Sequence, residues 1–424
     1  MADIRPFRAL RFTEQAGRID QLTCPPYDII SEEQRQAYLA ANPHNIIRLE
    51  LPRDGADPYQ TAGETLRRWL DEGILREDSE EALYVYDIGF TVPALPEPLH
   101  VTGIVARVHL EEFSKNVVLP HEWTLSKAKT DRLNLMKATG CNFSDIYSLY
   151  MADPGTPDVL TLTEGLTPLS DMTDEAGLTH RLWAVTDPVV IEEVCRRFAD
   201  KKLYIADGHH RYETALNYRR FCREQGAPEG GAADFVMMML VEMSHPGLVV
   251  FPTHRLIRDL PDFDASRLLS DCVPWFEVRP VEESAMESAL AAAYDAGQKA
   301  FGFFDGQAFR LLTLRDAAVM DTLLPEVSPA SRGLDVNVLH TLVLERLLGI
   351  DQENMRNQVN LTYTRSQDEA LEGVRRGEFQ CCFLLNPTRV SEIRDVAAAG
   401  EKMPQKSTYF YPKLITGLTM NRLD

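Results

Sequence analysis

Residues 203–216, LYIADGHHRYETAL, decide the fold. Leu203 to Ala206 form a short apolar run that reads as a strand, Asp207 and Gly208 make a turn, and Tyr212, Ala215 and Leu216 recur at helical spacing. A strand that turns directly into a helix is a building block of α/β proteins. The turn places His209, His210 and Arg211 in the first turn of that helix. There, unsatisfied backbone N–H groups and the helix dipole favour an anion, and a guanidinium adds bidentate contacts to phosphate. Gly208, His209, His210 and Arg211 therefore read as a phosphate cradle. The same residues also fit a plainer arrangement, with Asp207 as an N-cap and the three polar side chains solvated. Joint metal ligation by His209 and His210 is disfavoured, since neighbouring helical side chains diverge by about 100°.

Outward from this stretch, the pattern is mixed α/β (α+β). Ser31 caps a predicted amphipathic helix, and a second helix spans 61–72. ALYVYDIGFTV and VTGIVARVHLEEF flank a proline-rich loop as a hairpin, and DPVVIEEVCRRFAD is helical. DFVMMMLVEM and LVVFPTHRLI read as two strands and a turn, in a sheet buried on both faces. Further on, EESAMESALAAAYDAGQKA and LDVNVLHTLVLERLLG are helical, and FGFFDGQAFRLLTL is a hairpin about Asp305 and Gly306. Strand VNLTY, a helix with a Ser366–Glu369 capping box and strand FQCCFLL follow. Three regions are expected: 1–98, 99–262 carrying the cradle, and 263–424.

The chain has 424 residues, 44% of them hydrophobic and 25% charged, enough for more than one core. Its net charge of −20 opposes binding to nucleic acid or to anionic membrane. MADIRPFRAL lacks the apolar core of a signal peptide, and no apolar run approaches the roughly 20 residues that span a bilayer, so a cytoplasmic protein is expected. The seven cysteines show no C-x-x-C pair and read as reduced, buried thiols. A homodimer is compatible with this composition.

Upstream of the cradle, LPHEWTLSKAKTDRL (119–133) supplies Leu119, Pro120, His121, Glu122 and Thr124, then Lys127, Lys129, Asp131 and Arg132. The charge run fits a solvated helix face, with Arg132 the first candidate among it for phosphate or carboxylate. Three other segments carry candidates for substrate or phosphate contact. PPYD offers Asp28, PTHR offers His254 and Arg255, and MPQKSTYFYPKLITGL (403–418) offers Lys406, Ser407, Thr408 and Lys413. Pro404 and Pro412 keep this last segment from forming one helix, so it reads as loop or short strand whose tail can return to the site.

The box at 203–216 resembles the phosphate-binding box of the ParB/sulfiredoxin-like superfamily, with Gly208, Arg211 and Ala215 matching a G-x-x-R-x-x-x-A variant. The D-G-H-H-R form is similar to that of archaeal free serine kinases, whose upstream segment of the type L-x-P-H-E has its counterpart in Leu119, Pro120, His121 and Glu122. Over nearly the whole chain, PPYDII, ANPHNIIRL, LPHEWT, ADGHHRYETA, PTHR and MPQKSTYFYPKLITGL are similar to the family known as domain of unknown function 1015. The resemblance implies a ParB/sulfiredoxin-like nucleotide-binding core with added N- and C-terminal α/β regions. It implies a phosphotransferase using ATP or ADP with Mg²⁺ on a small hydroxyl substrate: free L-serine to O-phosphoserine, or the reverse. Glu122 is then the base, with Asp207 and His210 also catalytic, Asp207 the metal ligand, and His121 and Thr124 near the substrate. The competing expectation is a ParB-type nucleotide-operated switch without turnover. Sulfiredoxin-like repair needs a cysteine in the box, where His209 stands.

Overall fold

The computed structural model describes residues 2–92, 97–122, 124, 126–156, 158–404 and 406–423, the side chains of 126–128 excepted. The chain divides into two compact units. One comprises Met1–Pro120, Thr124–Val249 and Pro412–Asp424; the other comprises His121–Trp123 and Val250–Tyr411.

The first unit is built on a nine-stranded sheet: β1 (Ile4–Arg5), β2 (Leu83–Phe90), β3 (Leu99–His109), β4 (Val118–Leu119), β5 (Ile146–Tyr150), β6 (Ser170–Thr173), β7 (Thr179–Val185), β8 (Leu203–Asp207) and β9 (Phe235–Glu242). Its order is β4-β8-β5-β9-β3-β2-β7-β6, with β1 also pairing β3. The β8–β4 and β9–β5 pairs are parallel and the other pairs antiparallel, so the sheet is mixed. Every residue of β2 is buried, Asp87 included, as are Phe235 to Val241 of β9, whose sequence is a continuous apolar run.

Helices α1 (Glu32–Ala41), α2 (Pro58–Asp71), α3 (Ser126–Thr139), α4 (Pro188–Phe198) and α5 (His209–Glu224) accompany this sheet. Ser31 and Gln34 complete a capping box at α1, while Asp57 and Asp187 cap α2 and α4, each with Pro at the first helical position. Tyr212, Ala215 and Leu216 of α5 pack into a core with Ile146, Tyr150, Leu203 and Ile205. Truncating Leu216 there to Ala costs about 2–5 kcal/mol.

The second unit holds a six-stranded antiparallel sheet: β10 (His254–Ile257), β11 (Phe276–Pro280), β12 (Ala300–Phe304), β13 (Phe309–Leu314), β14 (Leu361–Thr364) and β15 (Cys381–Leu384), in the order β11-β13-β12-β15-β10-β14. The expected hairpin about Asp305 and Gly306 forms, and Gly306 takes the positive φ (+87°) that the turn requires.

Five expectations change. Position 98 falls between β2 and β3, which pair residue for residue from Tyr84–Val105 to Phe90–Leu99, so the chain is not divided there. The second crossing falls between Val249 and Val250 rather than at 262. The strands read from DFVMMMLVEM and LVVFPTHRLI exist but enter different sheets, β9 in the first unit and β10 in the second. At Ser366 the hydroxyl accepts from the Glu369 N–H, but the Glu369 carboxylate turns to the Thr364 hydroxyl, leaving the capping box half formed. LDVNVLHTLVLERLLG is helical but changes from α to π winding at His340–Glu345.

Candidate active site

In the first unit, the register of β8 against β5 shifts between Ile205 and Asp207. A bulge of this kind re-aims a side chain at a strand end, here that of Asp207. Gly208 follows at φ +93° and ψ +24°, a left-handed conformation that starts α5. A Cβ on Gly208 would also lie 3.0–3.1 Å from the Arg211 guanidinium, which folds back over the turn. The backbone conformation therefore favours glycine, and a Cβ would in addition press on the guanidinium. The plainer reading of Asp207 as an N-cap is replaced: Gly208 holds that position and makes no side-chain cap.

The Asp207 carboxylate lies between two cations. Oδ2 accepts from Arg211 Nη2 at 2.7 Å, and Oδ1 pairs with Nζ of Lys413, 206 residues away. Burial disfavours the charge, but Lys413 and then Arg211 outweigh it and hold Asp207 below the usual carboxylate range. The second guanidinium nitrogen of Arg211 donates to the backbone carbonyl of Asp145. His209, 7% exposed, completes the turn, and its charge also lowers Asp207.

Behind Arg211 lies a buried polar layer. Glu50 is raised by burial, opposed by Arg132 and Arg211. Arg132 donates to the Glu50 carbonyl at 2.6 Å and to Asp131 at 2.6 and 2.8 Å, and stacks 4.2 Å from the Tyr27 ring. Burial pushes Tyr27 up to about 12. Arg132 thus sits in the wall behind the cradle, its guanidinium already engaged by protein groups. Asp28 is exposed and acts on Arg211 only through its charge. A cavity of about 40 Å³ adjoins Glu50, Arg132, Ser144, Arg211 and Thr214. Asp145 is 4% exposed, its Oδ1 makes no hydrogen bond among the described residues, and burial raises its carboxyl to about 7 against the lowering effect of Arg211.

One carboxylate on the helix was not anticipated from sequence. Glu213 Oε2 accepts from Thr124 Oγ1 at 2.9 Å and Lys129 Nζ at 2.7 Å, tying the end of the upstream motif and α3 to α5. It lies two residues after Arg211, about 200° around the helix, so helical spacing gave no signal that it belongs beside the motif. Lys127 lies outside the described side chains, and Asp131 receives Tyr59 Oη at 2.8 Å.

In the second unit, Glu122 Oε1 accepts the Thr408 hydroxyl at 3.0 Å and the Thr408 N–H at 3.2 Å. His121 Nε2 lies 2.9 Å from the same hydroxyl, and the Met403 N–H donates to the His121 carbonyl at 2.6 Å. Arg255, 1% exposed, donates to the carbonyls of Thr253 and of Lys406, and burial lowers it to about 10. Ser407 caps its own turn on the Pro404 carbonyl, and Lys406 is exposed. His254 accepts the Leu385 N–H at 3.2 Å, and burial, then Arg255, lowers it to about 4, so it is a neutral brace between β10 and the end of β15. The motif residues thus fall into two groups: Asp207, Gly208, His209, Arg211 and Lys413 in one unit; His121, Glu122, Arg255, Ser407 and Thr408 in the other.

The residues do not fit a protein-held Mg²⁺. Both Asp207 oxygens are taken by cations, and among the described residues no three His, Cys, Asp or Glu side chains converge as a metal site. No helix of the described residues is long and apolar enough to cross a membrane.

Fold and site define a mixed α/β protein with a cationic cradle at a strand-to-helix turn. The chain belongs to the family described as protein of unknown function (DUF1015), whose model matches residues 4–337. No curated protein matches it. Among solved structures it is similar to a conserved hypothetical protein from Pyrococcus furiosus, at 14% identity over 71% of this chain and 91% of that one, with a TM-score of 0.35. A free serine kinase in complex with AMP matches at 14% identity over 71% and 88%, with a TM-score of 0.35. SbnI with a C-terminal truncation, from Staphylococcus aureus, matches at 10% identity over 75% and 87%, with a TM-score of 0.37.

Proposed function

We propose that the protein is a phosphotransferase that moves a phosphoryl group between ATP or ADP and a small hydroxyl compound, with free L-serine the first acceptor to test. The observation that carries this reading is the arrangement of Arg211 and Lys413 about Asp207, at a helix N-terminus that begins on a glycine turn. Two cations held by an internal carboxylate keep their geometry before a ligand arrives, so a phosphate entering the turn meets fixed charge. The α5 N-terminus, Gly208, His209 and His210 supply donors to the same phosphate.

Phosphoryl transfer asks little covalent chemistry of the protein beyond positioning, charge stabilisation and a proton acceptor for the alcohol. Glu122 is proposed as that acceptor, in keeping with the motif resemblance and with its hydrogen bonding to a hydroxyl. Asp207 is assigned to anchor the cations and not to accept protons. The test is incubation with ATP or ADP, Mg²⁺ and serine, followed by detection of phosphoserine. Transfer to serine or another small alcohol supports the proposal, and an absence of transfer across hydroxy amino acids and sugars in both directions refutes it.

A further inference from the structure

We propose that Thr408 is a phosphorylation site of the protein itself, its hydroxyl lying on Glu122 as an acceptor hydroxyl would. This rests on the phosphotransferase reading above and adds an internal acceptor to it. Thr408 is 286 residues from Glu122 in sequence, yet its Oγ1 lies 3.0 Å and its N–H 3.2 Å from the same carboxylate oxygen. His121 Nε2 stands 2.9 Å from that hydroxyl. A hydroxyl has one hydrogen; with it directed to Glu122, His121 must donate from Nε2 to the oxygen, a tautomer assigned from the network.

The segment bearing Thr408 is held for this contact. Met403 docks on the His121 carbonyl, and Lys406 adopts a left-handed conformation (φ +59°) that turns its carbonyl to Arg255. Glu122 is 18% exposed and Thr408 is half-buried, so the pair is not sealed from a donor. A carboxylate within hydrogen-bond reach of a hydroxyl is the geometry of general-base activation.

In the step itself, Thr408 Oγ attacks the terminal phosphorus of a nucleoside triphosphate. The new Oγ–P bond forms as the bond to the bridging oxygen breaks, and the leaving nucleoside diphosphate takes that electron pair. The hydroxyl proton passes to Glu122, and nothing is oxidised or reduced. Once Glu122 has released that proton to solvent, its carboxylate stands beside a phosphate dianion, and their repulsion undocks Thr408 and clears the base.

The experiment uses the full chain, treated with a phosphatase, repurified and incubated with ATP and Mg²⁺ without an added acceptor. Intact mass and peptide mapping then read the modification, while a parallel sample receives free serine. The expected result is one phosphoryl group on Thr408, absent from Glu122→Gln and Thr408→Val and moved to the new hydroxyl in Thr408→Ser. Transfer to serine with Thr408 unmodified, or with modification only elsewhere, overturns the inference and leaves the phosphotransferase reading intact. Absence of both reactions overturns that reading as well.

Discussion

Asp207 and Glu122 are both motif carboxylates, and their surroundings differ in kind. Asp207 has a cation on each oxygen and is held ionised below the usual range. Glu122 has a hydroxyl and an N–H on one oxygen and no lysine or arginine within salt-bridge distance among the described residues. A carboxylate clamped by two cations makes a poor proton acceptor and a good anchor. One that holds a neutral hydroxyl can take its proton. The contrast supports the proposed division, with Glu122 as proton acceptor and Asp207 as the anchor of Arg211 and Lys413.

The largest expected effect breaks that contrast at Glu122. Glu122→Gln keeps the shape and removes the base, and should lower kcat by about 10²–10⁴ while nucleotide affinity stays near that of the native chain. Next, Asp207→Asn leaves Lys413 and Arg211 facing each other without their counter-charge, and should destabilise the first unit by about 3–5 kcal/mol in denaturant titration. The sign with pH follows from its lowered value. The stability Asp207 contributes is complete above its unfolded value of about 4 and is lost as pH falls toward the lower folded value.

Asp145 shows the opposite slope. Its folded value is raised to about 7, so between about pH 4 and 7 the unfolded chain loses a proton that the folded one keeps. Stability should therefore fall with rising pH in that window, by at most about 1.4 kcal/mol per pH unit, and Asp145→Asn should flatten the profile. Arg211→Lys is the mildest change. It retains charge but loses the fork that reaches both Asp207 and the Asp145 carbonyl, and calorimetry should show about tenfold weaker nucleotide binding.

The local parts of this structure were legible in sequence because local rules govern them. The β8 run, the glycine turn, the α5 periodicity and the caps at Ser31 and Ser366 each depend on a few neighbouring residues. The pairing of Lys413 with Asp207 and of Thr408 with Glu122 spans 206 and 286 residues, and residue type alone does not choose such partners. Apolar runs told that β9 and β10 were buried but not that they belong to different sheets, since burial carries no information about partner. Arg132 read as part of a solvated helix face and as the first candidate there for phosphate or carboxylate; it is buried, and the carbonyl of Glu50 and the ring of Tyr27 engage it.

Phosphorus NMR of nucleotide plus serine, with native chain and Glu122→Gln side by side, tests phosphoryl transfer to an alcohol with Glu122 as base. A phosphate ester resonance should grow with the native chain and be nearly abolished in the variant, which still binds nucleotide. Equal ester formation by both chains would contradict the role of Glu122, and formation by neither would contradict the activity.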